Sequence, residues 1–242
     1  MTKLLKRSAS IFKTILDLVL PPVCYVCGRS CSSKYGLCEA CLAKIKRIPP
    51  PYCPKCGRRI TNNETICAEC TLKDSHVEKA WACCYYENSI KECIHLFKYR
   101  GYAGLADIFR DIMVAFVRKN GIDKTIDLIV PVPVHPAKKR ERTYNHAEIL
   151  ARSLSKNLEI PMDVKNLKKI KWTRSQSELD KKKRSKNLRG TFLAVRKEAF
   201  SGKNVLLVDD VHTTGATVNE CAKALLSAEA NKVFSLALAR GV

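Results

Sequence analysis

The sequence predicts an α/β domain with a central parallel sheet, preceded by a smaller cysteine-rich region. Eight cysteines in the first third of the chain recur with a fixed period. Further on, an apolar run over 205–208 leads through a polar loop into a helical pattern, and residues 127–132 predict another buried strand. Such short apolar runs are typical of strands that are buried on both faces of a parallel sheet.

The composition is that of a folded, strongly basic protein. The 242 residues include 44 Lys and Arg against 23 Asp and Glu, a formal net charge of +21, and 46% are hydrophobic. Collagen-like, mucin-like and wholly disordered chains are excluded. Because so large an excess of positive charge repels itself, we expect a phosphate-rich partner or an anionic ligand to offset it.

Two cysteine repeats follow one another near the N-terminus. Each repeat reads C-x2-C-G-x9-C-x2-C, and the second lies 29 positions after the first. The cysteines are Cys24, Cys27, Cys38 and Cys41 in the first repeat and Cys53, Cys56, Cys67 and Cys70 in the second. Such a unit can close a four-thiolate zinc site, and the glycine can adopt the positive φ that lets amides approach the sulfurs. We therefore expect two structural zinc sites, consecutive rather than interleaved, with Cys31 outside both.

A disulfide framework and buried structural thiols are the alternatives for these cysteines. Disulfides require an oxidising compartment, which the expected absence of a signal peptide argues against, and they do not explain equally spaced pairs. Large aliphatic residues are few between residues 23 and 70. Metal binding, on the order of 10–16 kcal/mol per structural site, must therefore stabilise this region.

The segment after the apolar run over 205–208 has the chemistry of a sugar-phosphate site. An acidic pair, Asp209 and Asp210, ends the predicted strand and can accept hydrogen bonds from vicinal ribose hydroxyls. The phosphate loop that follows (residues 213–217) leads into a helix, whose dipole and free amides can hold a phosphate. Its residues are Thr213, Thr214, Gly215, Ala216 and Thr217. Thr217 and Glu220 also predict a capping box. The alternative is a plain strand-turn-helix with solvated acids.

This segment resembles the 5-phosphoribosyl-1-pyrophosphate (PRPP) motif of type I phosphoribosyltransferases. From about residue 15 onward, the chain resembles the ComF family of competence-associated proteins. Besides the cysteine repeats, the family-like features are Ile94–Gly101, Val130–Pro133, Arg140, Arg142, Tyr144, Asn145, Gln176, Leu179, Arg184, Asn187, Gly190 and Phe192. His146 stands where a family glutamine is expected. The resemblance implies the type I phosphoribosyltransferase fold, PRPP with Mg²⁺ as ligand, and a role in DNA uptake and natural transformation.

Two basic segments flank the expected pocket. Arg140 and Arg142 are expected to contact the pyrophosphate, since Arg makes bidentate phosphate contacts; a solvated turn is the alternative. Residues 165–203 contain 14 basic and 3 acidic residues, an excess that attracts nucleic-acid phosphates. The residues expected to contact single-stranded DNA are Trp172, which offers a stacking ring, and Lys181, Lys182, Lys183 and Arg184. A basic lid over PRPP and a merely solvated face are the alternatives.

Two classes of function are compatible with these features. One is a phosphoribosyltransferase that binds PRPP, Mg²⁺ and single-stranded DNA; no residue identifies its acceptor nucleophile, and neither His135 nor His212 is assigned as a catalyst. The other is a non-catalytic, PRPP-sensing, nucleic-acid-binding module. A ComF-type helicase of the uptake machinery is a further candidate partner.

The expected organisation is an amphipathic helix over 1–19, a double zinc ribbon over 20–75 and a phosphoribosyltransferase-like domain over 76–242. Lys13 and Asp17 interrupt the first apolar run, and no later stretch is long enough to span a membrane. We therefore expect a cytoplasmic protein, with attachment to the inner face of the membrane as the alternative.

Overall fold

The centre of the molecule is a four-stranded parallel sheet. The computed structural model describes residues 22–72, 74–100, 102, 104–136, 145–172 and 188–241. Its strands are β1 Lys79–Tyr85, β2 Leu128–Pro131, β3 Leu167–Lys169, β4 Phe192–Ala194, β5 Asn204–His212 and β6 Lys232–Arg240. The central sheet has the order β1-β6-β5-β2, and β3 pairs with β4 in a separate antiparallel ribbon. Both predicted strands are thus confirmed, as β2 and β5, and the structure pairs them side by side.

Six helices accompany these strands in the described ranges. They are α1 Glu39–Ala43, α2 Ala68–Thr71, α3 Asn88–Arg100, α4 Leu105–Lys119, α5 His146–Leu158 and α6 Ala216–Ser227. The Asn145 side chain caps α5 by accepting a hydrogen bond from the Ala147 amide, as Asn commonly does at this position. None of the helices that the structure describes has the length and apolar character needed to cross a bilayer. The expected helix over 1–19 lies outside the described residues.

The capping box predicted at the start of α6 is wrong. Gly215, at φ 75°, occupies the N-cap position, so Thr217 is already the second helical residue. Glycine reaches this left-handed conformation without the steric penalty of a side chain, which allows the helix to begin two residues earlier. The carboxylate of Glu220 accepts a hydrogen bond from the Gly190 amide at 3.0 Å.

Both faces of the sheet are covered by hydrophobic residues. Leu206 and Val208 of β5 belong to a cluster with α3, α4 and α5, whereas Val205 and Leu207 belong to a second cluster with α6, β3 and β4. This alternation follows from the two-residue period of a strand. Because β5 is closed on both faces, its polar carboxyl end is the part of the strand that a ligand can reach.

The two cysteine repeats have the same local structure. The bridge between Val23 and Ser30 in the first recurs between Tyr52 and Arg59 in the second. The first also packs on the sheet domain, since its fully buried Leu37 lies in the cluster of α3 and α4. The first cysteine repeat, which has few aliphatic residues of its own, thus shares the hydrophobic core of the sheet domain. The domain boundary near residue 75 stays a prediction.

Candidate functional site

The eight repeat cysteines form two separate tetrads, the first ribbon (residues 24–41) and the second ribbon (residues 53–70). Within each tetrad the ligand atoms lie within 4.8 Å of one another. The Sγ–Sγ distance is 3.6 Å between Cys27 and Cys38 and 3.7 Å between Cys56 and Cys67. A tetrahedral site with Zn–S bonds of about 2.3 Å separates its sulfurs by about 3.8 Å. Each tetrad therefore fits one zinc ion, and the grouping is consecutive; Cys31 lies in neither.

Backbone amides lower the pKa of one cysteine in each tetrad, Cys24 and Cys53. Gly28 and Gly57 have φ values of 72° and 70°, as the sequence predicted. Burial raises the pKa of Cys24, but the amides of Cys38, Cys27 and Val26 donate to its sulfur and lower the pKa to about 6. Burial raises the pKa of Cys41 in the same tetrad to about 12. Since zinc binds cysteine as thiolate, the backbone prepares Cys24 for the metal, whereas Cys41 must lose a proton when the metal binds.

The acidic pair lies at the carboxyl end of β5, and the phosphate loop leads from there into α6. Asp210 donates its amide to Asp209 Oδ1 at 2.9 Å, so the two residues are locally held together. Thr213 is exposed, while Thr214, Gly215 and Ala216 are half-buried. The first amides of α6 have no acceptor within the helix, which makes this end attractive to anions. The predicted residues are thus brought together at one edge of the sheet, and their role in PRPP binding stays a prediction.

Lys98 of α3 contacts the acidic pair, a contact that sequence reasoning missed. Its Nζ lies 2.7 Å from Asp210 Oδ1, and both side chains are largely buried, with 19% and 15% of their surface exposed. Burial lowers the pKa of Lys98, but the Asp210 carboxylate raises it, and the net pKa is above the ordinary value. The sequence feature that could have pointed to this contact is the position of Lys98, next to Phe97 and within the family-like stretch Ile94–Gly101.

Asp209 has an unusual proton affinity. Burial and the negative charge of Asp210 raise its pKa to about 7, against the opposing effect of Lys98. Asp209 therefore exchanges a proton near neutral pH, in the range where a functional carboxyl group can be switched by its surroundings.

His212, beside the expected pocket, and His146, at the start of α5, are both buried. Burial and the charge of Arg240 lower the pKa of His212 to about 3, so this side chain is neutral. His146, where a glutamine was expected, is buried and packs edge-on against Phe97 at 5.2 Å between ring centroids.

Most of the basic residues that are expected to contact ligands lie outside the described residues. Outside the described residues are Arg140, Arg142, Lys181, Lys182, Lys183 and Arg184. Trp172 is described; 55% of its surface is exposed, and its ring meets His135 edge-on at 5.4 Å between centroids. His135 borders a cleft of about 600 Å³ that Lys165, Lys168 and Lys169 also line.

Comparison with known proteins identifies both parts of the chain. Residues 15–71 match the double zinc ribbon domain, and residues 144–241 match the phosphoribosyl transferase domain. Among solved structures, adenine phosphoribosyltransferase from Saccharomyces cerevisiae is 19% identical, with 56% of this chain and 70% of that chain covered and a TM-score of 0.36. This overlap is partial, and the fold assignment rests on the parallel sheet and the two domain matches.

Three curated relatives are similar to the chain. Competence protein F of Haemophilus influenzae is 42% identical over 119 residues, 48% of this chain and 52% of the relative. Competence protein ComFC of Bacillus subtilis is 30% identical over 156 residues, 64% of this chain and 61% of the relative. The chain thus matches only part of the length of these two proteins. DNA utilization protein YhgH of Escherichia coli is 28% identical over 215 residues, 86% of this chain and 92% of the relative. The chain therefore carries a double zinc ribbon domain in front of a phosphoribosyl transferase domain with the type I fold, and it is similar to competence proteins over part of its length, in agreement with the resemblance to the ComF family.

Proposed function

We propose that this chain binds PRPP with Mg²⁺ at the acidic pair and the phosphate loop, and that it handles single-stranded DNA during DNA uptake. One observation carries the first part: two acids lie near the carboxyl end of a strand that is buried on both faces, and two residues beyond them the phosphate loop leads to the N-terminus of α6. The helix end suits a 5-phosphate, and the carboxylates suit the ribose hydroxyls of the same molecule. The similarity to competence proteins supports the second part.

Mg²⁺ is proposed to arrive with PRPP. In the part of the chain that the structure describes, the only gathered metal-ligand groups of three or more residues are the two cysteine tetrads. Mg²⁺ prefers oxygen ligands and commonly binds through substrate phosphates with one or two carboxylates. The acidic pair can supply those carboxylates, and the pyrophosphate of PRPP the remaining oxygens.

The reaction proposed is substitution at the ribose carbon C1. An acceptor atom forms a bond to C1 while the bond from C1 to the pyrophosphate oxygen breaks, and pyrophosphate leaves with both bonding electrons. Mg²⁺ supplies charge neutralisation for that leaving group when it is bound. The protein contributes positioning and fixed charge, which are effective means of catalysis without a covalent intermediate.

Pyrophosphate release measures this activity directly. With PRPP and Mg²⁺, we expect release only when an acceptor is added, with free nucleobases and single-stranded DNA as the first candidates. The variant with Asp209→Asn and Asp210→Asn is the control and is expected to release none. Tight PRPP binding without release in any mixture would contradict the transferase and favour the PRPP-sensing module.

Single-stranded DNA binding is supported by the surface around Trp172. Its exposed ring lies next to His135, which borders the same cleft as Lys165, Lys168 and Lys169. Exposed aromatic rings and lysines together are typical of surfaces that stack bases and neutralise phosphates. A cytoplasmic location completes the proposal, supported by 13 cysteines of which none is paired in a disulfide, as in a reducing compartment.

Salt dependence distinguishes the two contributions to DNA binding. If Lys181, Lys182, Lys183 and Arg184 each neutralise one phosphate, their replacement by Gln should flatten the slope of log K against log salt by about 2.8. Trp172→Ala should instead weaken binding by about 1–3 kcal/mol and leave the slope nearly unchanged. Both can be measured by fluorescence anisotropy with a labelled oligonucleotide.

A matched control removes the same charge elsewhere, by replacing the exposed lysines Lys91, Lys119, Lys124 and Lys156 with Gln. This control should leave the slope closer to that of the wild type. If the first quartet impairs PRPP affinity and leaves DNA binding intact, the basic segment is a lid. If the wild type binds no DNA at low salt, the DNA proposal is refuted.

A further inference from the structure

The helix α3 holds Lys98 in a fixed position beside the acidic pair. One face of this helix is almost fully buried, and its residues have the spacing of an amphipathic helix: Ile90, Cys93, Ile94 and Phe97. The Phe97 ring packs edge-on against Phe109 of α4 at 5.3 Å and against His146 of α5 at 5.2 Å between centroids. Because Lys98 follows Phe97 directly, this packing determines where its side chain leaves the helix.

The two acids leave β5 on opposite faces of the sheet. The side chains of β5 alternate between the cluster with α3 and the cluster with α6. By this two-residue period, Asp209 lies on the face of α6, and Asp210 lies on the face of α3. The distance of 2.7 Å between Lys98 Nζ and Asp210 Oδ1 agrees with this placement. The orientation of the Asp210 carboxylate therefore depends on α3 rather than on the phosphate loop.

Each acid is held by one of its carboxylate oxygens. Lys98 donates to Asp210 Oδ1, and the Asp210 amide donates to Asp209 Oδ1 at 2.9 Å. Within the ranges that the structure describes, the Oδ2 atom of neither acid accepts a hydrogen bond from the protein. An ionised carboxylate can accept at both oxygens. The protein thus fixes one oxygen of each acid and leaves the other for a ligand.

The burial of the ion pair points to a role in the site rather than in stability. A charge-assisted hydrogen bond of this length is strong and directional. Lys98 and Asp210 have 19% and 15% of their side-chain surface exposed, whereas the ion pair between Lys46 and Glu87 has 62% and 42% exposed. Removing two charges from water opposes their attraction, so a buried pair adds little net stability. Its effect is to hold the carboxylate in one orientation.

We infer that Lys98 is a positioning residue for ribose binding. It holds the Asp210 carboxylate by Oδ1, so that Oδ2 accepts a hydrogen bond from one ribose hydroxyl of PRPP while Asp209 accepts from the vicinal hydroxyl. The inference rests on the proposed PRPP site. It also gives a function to the family-like stretch Ile94–Gly101, which lies far from the PRPP motif in the sequence.

Titration calorimetry of the full-length, zinc-loaded protein with Mg-PRPP tests the inference. Lys98→Met keeps an unbranched side chain but removes the ammonium group. It should weaken binding about tenfold, the value of one hydrogen bond to a charged group. Lys98→Arg keeps the charge and should recover part of that loss. Lys91→Met removes an exposed lysine two turns earlier on α3 and is the matched control, which should bind as the wild type does.

The variant Asp210→Asn distinguishes positioning from direct contact with the ligand. In that background, Lys98→Met should weaken binding by no more than about twofold, because the carboxylate through which Lys98 acts is already absent. A second loss of about tenfold would show that Lys98 contacts the ligand itself, and would overturn the inference. Unchanged zinc content and circular dichroism show that each variant folds.

Failure of this inference differs from failure of the PRPP site. If the wild type does not bind Mg-PRPP, the site itself is refuted and the inference with it. If the wild type binds and Lys98→Met binds equally well, only the role of Lys98 is overturned. If Lys98→Met does not fold, a crystal structure of the wild type with Mg-PRPP decides. We expect Lys98 on Asp210 Oδ1 and a ribose hydroxyl on Oδ2; a lysine on the ligand, or an Asp210 without a ribose contact, overturns the inference.

Discussion

Replacing Cys53 and Cys56 with Ser is expected to remove one of two bound zinc ions and leave the other. The two tetrads share no cysteine, and each gathers its own four sulfurs. A structural zinc site is worth on the order of 10–16 kcal/mol, so the second ribbon should unfold locally when two of its ligands are lost. Metal analysis by mass spectrometry gives the stoichiometry directly.

The loss of structure in this variant should extend beyond the second ribbon itself. Arg240 at the end of β6 donates to the Cys56 carbonyl, and Gly57 lies so close to Trp81 of β1 that an added Cβ would be 3.0 Å from its backbone. Unfolding of the second ribbon removes this packing, so the melting temperature should fall as well. Cys31→Ser is the control and should keep two zinc ions. Loss of both ions from the Cys53 and Cys56 variant would contradict independent ribbons.

The second large effect is expected at the acidic pair. Asp209→Asn combined with Asp210→Asn should abolish measurable Mg-PRPP binding, because two carboxylates that accept hydrogen bonds from the ribose are replaced by neutral amides. Hydrogen bonds to charged groups are worth about 1.5–3 kcal/mol each, so their joint loss corresponds to more than about 100-fold in affinity. Titration calorimetry measures it, and unchanged affinity would refute the placement of the ribose.

Asp209→Asn alone is an informative partner to the double variant. It retains the ion pair between Lys98 and Asp210 and so leaves no buried lysine without its partner. A double variant that loses binding because it misfolds would differ from the single variant in zinc content and circular dichroism. A single variant that folds normally and binds poorly identifies Asp209 itself as a binding group.

The pH dependence gives an independent measure of Asp209. Its pKa of about 7 lies above the ordinary value of 3.8, so the wild-type affinity for Mg-PRPP should fall as the pH is lowered below about 7. PRPP phosphates also titrate in this range, and Asp209→Asn isolates their contribution. Because the pKa of Asp209 is raised on folding, the contribution of this one group to stability is fully present below pH 3.8 and is lost as the pH rises to about 7. The Asn variant should therefore be the more stable protein above that pH.

The sequence was sufficient for features that depend on local pattern. The repeat of 29 residues predicted the two tetrads, and the apolar runs predicted β2 and β5. Both features depend on the spacing and the hydrophobicity of residues that are close together in the sequence. Contacts between distant residues could not be predicted in this way. Lys98 and Asp210 are 112 positions apart, and only the packing of α3 on the sheet brings them together. The failed capping box has a local cause, the backbone freedom of Gly215.

The ion pair between Lys98 and Asp210 also reduces the negative charge that an approaching anion meets at the acidic pair. PRPP carries negative charge at both ends, and two bare carboxylates at the sheet edge would repel it. Lys98 cancels the charge of Asp210, and Asp209 can hold a proton near neutral pH. The site is thus close to electroneutral before it binds anything. Such a pair would repel a polyanion less than two full negative charges do, and a cation bound together with the ligand would favour the ionised form of Asp209 further.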